Sequence, residues 1–125
     1  MGVPFNLSMP SILLRLEGLA VFMFAVYMFF AQFRGEPLSF LTLFLFPDIS
    51  ALAYIVNKEI GSVVYNLAHF YVAPLLFMFV SMAIYQDVLF LQLSMIWFAH
   101  IGIDRLIGFG LKYPTGFRDT HFQKI

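Results

Sequence analysis

The chain has 125 residues, enough for one domain. It is 62% hydrophobic and 11% charged, with a mean hydropathy of +0.89, against roughly 45–50% and 25% in soluble domains, which excludes an ordinary water-soluble globule. Seven basic and seven acidic residues cancel, so there is no nucleic-acid footprint, and the absence of cysteine excludes disulfides and thiolate metal sites.

A helix crosses the hydrocarbon core with about 20 mainly apolar residues. The first such stretch, 11–33, follows Pro10. It is not expected to be a signal peptide: it has no basic leading region, carries Arg15 and Glu17 near its start, and is followed by no small-residue cleavage site. The second stretch, 38–57, contains Pro47-Asp48. The third, 61–84, contains Pro74. The fourth is 86–110. The separators Arg34-Gly35-Glu36-Pro37, Asn57-Lys58-Glu59 and Tyr85-Gln86-Asp87 are short and polar. Short turns make neighbours antiparallel. The expected fold is therefore all-α: a single polytopic membrane domain over 1–125, built as an antiparallel four-transmembrane-helix bundle. A re-entrant hairpin broken at Pro47 is the alternative for the second stretch.

Basic residues set the orientation. Four crossings place Arg15, Lys58, Arg105, Lys112, Arg118 and Lys124 on one side and Arg34 alone on the other. The positive-inside rule then makes both termini cytoplasmic. The expected location is the bacterial cytoplasmic (inner) membrane. The tail, 111–125, carries Pro114 and Gly116, which stop a helix. Its aromatic and basic residues suit the membrane surface or a return onto the bundle.

Ionisable groups inside a membrane cost roughly 2.5–3.5 kcal/mol each at a helix centre. The spans nevertheless hold Glu17, Asp48, His69, His100 and Asp104, with Asn66 beside them. At about 1.5 Å rise per residue these lie about 7–15 Å from the cytoplasmic ends of their helices. Four helices thus place polar groups in one layer, as a cavity open to the cytoplasm would. His100 and Asp104 are spaced i,i+4, as are Tyr65 and His69, so each pair shares a helix face. Imidazoles and carboxylates from several helices are how bundles build metal sites, and this donor set suits zinc, iron or manganese. The expected ligands of such a divalent metal are Asp48, His69, His100 and Asp104, with His121 delivered by the tail. Each residue also has a structural reading: Asp48 as the cap of a helix restarting after Pro47, His69 as a hydrogen-bonded core residue, His100 with Asp104 as a structural pair, Glu17 as a partner for Arg15 or a headgroup, and His121 as a solvated tail residue.

The block from Trp97 to His121, with Pro47-Asp48-Ile49-Ser50 and Tyr65-Asn66-Leu67-Ala68-His69, resembles the bacterial family described as domain of unknown function 4260. That resemblance implies a small multi-pass membrane protein and brings no activity with it. A weaker similarity is to membrane-bound metal-dependent hydrolases. It implies metal ligation at Asp48 and His121, with His69 and His100 loosely placed. Arg118-Asp119-Thr120-His121 stands where that group carries His-Arg-Gly-x-Thr-His.

Three functions fit. The first is a metal-dependent hydrolase of a lipid-like or amphiphilic substrate. In it Glu17 or Asp119 serves as general acid or base beside Tyr65 and Asn66, and Arg105, Lys112 and Arg118 grip an anionic headgroup. The second is a metal-free acid/base isomerase or cyclase of a hydrophobic substrate. The third is a non-enzymatic ligand-binding, accessory or proton- or ion-conducting protein, acting as an oligomer in the last case.

Overall fold

A computed structural model describes residues 9–108. Expectations that fall on the tail, including Lys112, Arg118, Asp119 and His121, lie outside the described residues. Among the described residues every regular element is helical. Helix α1 (Met9–Tyr27) runs into a π-helical turn (Met28–Gln32), giving one apolar span of 24 residues. Helix α2 (Pro37–Leu43) is followed by a 3₁₀ helix (Phe46–Ile55). Helix α3 (Lys58–Ala68) and helix α4 (Val72–Val80, extended by a π-helical turn, Ser81–Tyr85) form a bent pair, and helix α5 (Val88–Ile107) is continuous. Met9–Gln32, Pro37–Ile55 and Val88–Ile107 are each long and apolar enough to cross a bilayer, and the α3–α4 pair, bent by 54°, makes the fourth crossing if taken as one span. Side chains such as Met23, Phe24, Leu52 and Phe79 face outward, as a lipid environment requires. The chain is an all-helical membrane protein.

Two proline-containing spans depart from the continuous helices that hydropathy predicts. In the second, Pro47 has no N–H to give, and its ring would strike the Leu43 carbonyl in an α-helix. The α-helix therefore ends at Leu43 and the chain resumes as a 3₁₀ helix, with the Asp48 N–H donating to Leu45 O at 3.0 Å. In the third, the ring of Pro74 excludes the Phe70 carbonyl from α geometry in the same way. The helix breaks at 69–71, ahead of the proline, and restarts so that Pro74 sits in the first turn of α4, where few amides have partners to lose. The fourth span closes at Gly108, whose φ of 100° is the left-handed conformation that lets its N–H reach Asp104 O (3.0 Å) and Arg105 O (3.2 Å).

Helices α1 and α5 form the antiparallel spine. They touch backbone to backbone at two glycines: a Cβ on Gly18 would lie 2.6 Å from Gly102 O, and one on Gly102 would lie 2.7 Å from Gly18 O. Such close approach is how helices pack in lipid, where there is no hydrophobic drive between them. Arg15 clamps the same pair, donating through its Nη1 to Leu106 O at 3.1 Å and through Nε to Ser11 Oγ at 3.3 Å. Beside it, Ala25 and Phe29 from the first span pack on Met95, Ile96 and Ala99 of α5. Gly102 lies midway between His100 and Asp104, so this close backbone contact positions both.

Candidate metal centre

Four side chains converge at the breaks. Helix α5 supplies His100 and Asp104 one turn apart, the end of α3 supplies His69, and the 3₁₀ helix supplies Asp48. His69 Nε2 lies 3.0 Å from Asp48 Oδ1 and 3.6 Å from Asp104 Oδ2. His100 Nε2 lies 3.1 Å from Asp48 Oδ1 and 3.2 Å from Asp104 Oδ2. The two Nε2 atoms are 3.3 Å apart. One ligand atom from each of the four residues falls within 4.8 Å of all the others.

The far nitrogens define the tautomer. His69 Nδ1 donates to Tyr65 O at 2.9 Å, and His100 Nδ1 donates to Phe44 O at 2.7 Å. A carbonyl oxygen only accepts, so each Nδ1 carries a proton, and either ring, when neutral, presents an Nε2 lone pair to the centre. A metal-binding histidine is held by this outer contact.

Both carbonyls are available because the helices are broken. An unbroken helix would satisfy Phe44 O with the Asp48 N–H, which instead turns to Leu45 O. It would satisfy Tyr65 O with the His69 N–H, which instead donates to Asn66 O at 3.2 Å. Two further carbonyls at the end of α3 are also taken: Ala68 O accepts from Trp97 Nε1 at 2.6 Å, and His69 O from Arg105 Nη2 at 3.3 Å. These side chains spare those carbonyls from lipid, which could not satisfy them. The Tyr65 ring lies flat on His69 (3.8 Å between centroids, 6° between planes) and fixes its rotation.

Charge points the same way. With both imidazoles neutral, the two carboxylates would leave a net charge of −2 in a low-dielectric layer, where uncompensated charge is expensive. Protonating both rings would cancel it, at the expense of two cations with facing nitrogens 3.3 Å apart. A single divalent ion cancels it without that repulsion. Tetrahedral bonds of about 2.0–2.2 Å hold ligand atoms about 3.3–3.6 Å apart, close to the five spacings above. These residues could hold a zinc-sized ion. The ligands are unequal in exposure: the side chains of His69 and His100 are buried, that of Asp104 is 17% exposed and that of Asp48 is 47% exposed.

The structure therefore brings together Asp48, His69, His100 and Asp104, with Tyr65 against them. Asp48 does not cap the 3₁₀ helix: no side chain caps it, and the Asp48 carboxylate faces the imidazoles. Asn66 is half-buried and contributes its backbone carbonyl. Glu17 is exposed on α1 and stands outside the four-residue group. Arg105, expected at the interface for a headgroup, is turned inward instead. It is buried, lies 5.3 Å over the Tyr71 ring and holds the broken end of α3. The residues that sequence reasoning missed are Trp97 and the carbonyls of Phe44 and Tyr65. A signal for Phe44 was present, since a proline inside a span releases carbonyls one turn upstream.

Fold and site together define an all-helical membrane protein with a His/Asp cluster at breaks in two of its spans. The model of the family described as domain of unknown function (DUF4260) matches residues 11–125, and the chain belongs to that family. No curated protein and no solved structure matches it.

Proposed function

We propose that the chain is a membrane-embedded, divalent-metal-dependent hydrolase of a lipid-like substrate, working from the cytoplasmic side of the bacterial inner membrane. The observation that carries this reading is the pair of imidazoles whose Nδ1 protons are committed to backbone carbonyls, leaving two Nε2 atoms turned toward each other and two carboxylates. Zinc, iron and manganese all suit such a donor set. Bound there, the ion would lower the pKa of a water and polarise a carbonyl or phosphoryl oxygen. The half-exposed Asp48 is the ligand that gives way to water or substrate. The buried His69 and His100, with Asp104, keep the ion in place. Tyr65 holds His69 in register. The bias of basic residues supports a cytoplasmic mouth, with Lys112 and Arg118 as headgroup contacts, Asp119 as acid or base and His121 as a further ligand from the tail.

Elemental analysis of protein purified in mild detergent without chelator tests the reading. About one equivalent of a transition metal per chain is expected, removable by chelator together with hydrolysis of ester or phosphoester amphiphiles. Protein that holds no metal and takes up none on addition overturns it. The metal-free acid/base reading then takes its place, because 3.0–3.2 Å between Nε2 and carboxylate oxygens is also hydrogen-bond length.

A further inference from the structure

Beside the cluster lies an apolar pocket of about 280 Å³, lined by Leu43, Phe46, Phe77, Leu93 and Trp97. Its walls are tied to the site. Phe46 is two residues before Asp48, Trp97 is one turn before His100, and Leu43 adjoins Phe44, whose carbonyl holds His100. Phe46 and Phe77 both pack on Trp97, with ring centroids 5.5 and 6.0 Å away. The indole N–H is the one polar group on these five side chains, and Ala68 O already accepts it. The pocket offers a ligand no donor and no acceptor. All five side chains are only half-buried, so the pocket is open at its edge.

We propose that this pocket is the subsite for an alkyl chain of the substrate, the polar end of the same molecule lying at the Asp48–His69–His100–Asp104 cluster. Position along α5 supports the pairing. Trp97 stands at the middle of Val88–Ile107, while His100 and Asp104 lie toward its C-terminal end. An amphiphile with its head at the cluster would run its tail toward the bilayer centre, where Trp97 is. Apolar surface in a bilayer gains packing but no release from water. The pocket therefore selects the shape of a chain, and the cluster selects the head. The proposal rests on the hydrolase reading for the identity of the head and on the pocket alone for the chain.

Trp97 is the sole tryptophan, so its fluorescence reports on the pocket directly. The full chain would be reconstituted in phosphatidylcholine vesicles whose acyl chains are either plain or dibrominated near the bilayer centre. Bromine quenches indole on contact. Strong quenching is expected in the wild type and a marked loss of it in Leu93→Phe, which fills the pocket. Leu43→Phe fills it from a different helix and guards against a folding defect in the first variant. Weak quenching in the wild type overturns the proposal, and so does quenching that both substitutions leave intact. The measurement needs no metal. Chain contact in a protein that binds no metal leaves the subsite standing and removes the hydrolase reading, while metal binding without chain contact does the reverse.

Discussion

The α1–α5 spine and the two proline-broken spans handle the same problem in opposite ways. In the spine the helices run unbroken, so interior backbone groups are satisfied within their own helix, and small residues bring the axes close. In the broken spans, carbonyls are released and then recaptured by side chains: His100 on Phe44, Trp97 on Ala68 and Arg105 on His69 reach over from α5, and His69 turns back on Tyr65. The spine gives position and the breaks give directed acceptors. An imidazole needs both to present a fixed lone pair, which places the cluster where a continuous helix meets two interrupted ones.

The sharpest way to break this comparison is to remove a ligand from the spine. His100→Ala should abolish metal binding, read as metal content after purification, with an effect beyond the roughly 10–100-fold that loss of an outer-shell partner costs. Retention of a full equivalent would mean that the ion sits elsewhere. Next comes Pro47→Ala. With an N–H restored at 47, the second span can continue as an α-helix, and Phe44 O returns to the Asp48 amide. His100 then loses its acceptor, and affinity should fall by roughly 10–100-fold in a competition titration against a chromophoric chelator. An unchanged affinity would show that the broken backbone is not what orients His100.

Gly102→Ala tests the spine itself. Its new methyl would meet Gly18 O at 2.7 Å and Phe22 N at 2.8 Å, neither of which can swing aside. A stability loss of about 1–3 kcal/mol is expected from overpacking, seen as a lower thermal midpoint in detergent. Metal affinity should drop with it, because His100 and Asp104 flank the glycine. The smallest effect is a difference between two like substitutions. Asp48→Asn, at the half-exposed ligand, should weaken metal binding less than Asp104→Asn, at the mostly buried one. Equal losses would remove Asp48 from the role of exchangeable ligand.

Much of this architecture was readable from local pattern. Four apolar stretches, their polar separators and the i,i+4 spacing of His100 and Asp104 are properties of contiguous residues, and they survive folding. Asp48, His69, His100 and Asp104 were also nameable as a cluster, because an ionisable residue in a span demands a partner, while His121, expected with them, lies outside the described residues. Glu17 met the same criterion and stands outside the group, since depth along a helix says nothing of which way its side chain faces. Arg105 was misplaced for a related reason: its distance from the helix end suited a headgroup, but an unsatisfied carbonyl at His69 drew it inward.

The sequence by itself thus determined the membrane setting and the candidate donors, through hydropathy and spacing that need no knowledge of neighbours. Only the tertiary structure decided that Asp48, His69 and His100, tens of residues apart, share one centre, and which nitrogen each imidazole turns toward it. That outcome depends on where the second and third spans break and which carbonyls the breaks release, and most of those carbonyls find their donors across helices.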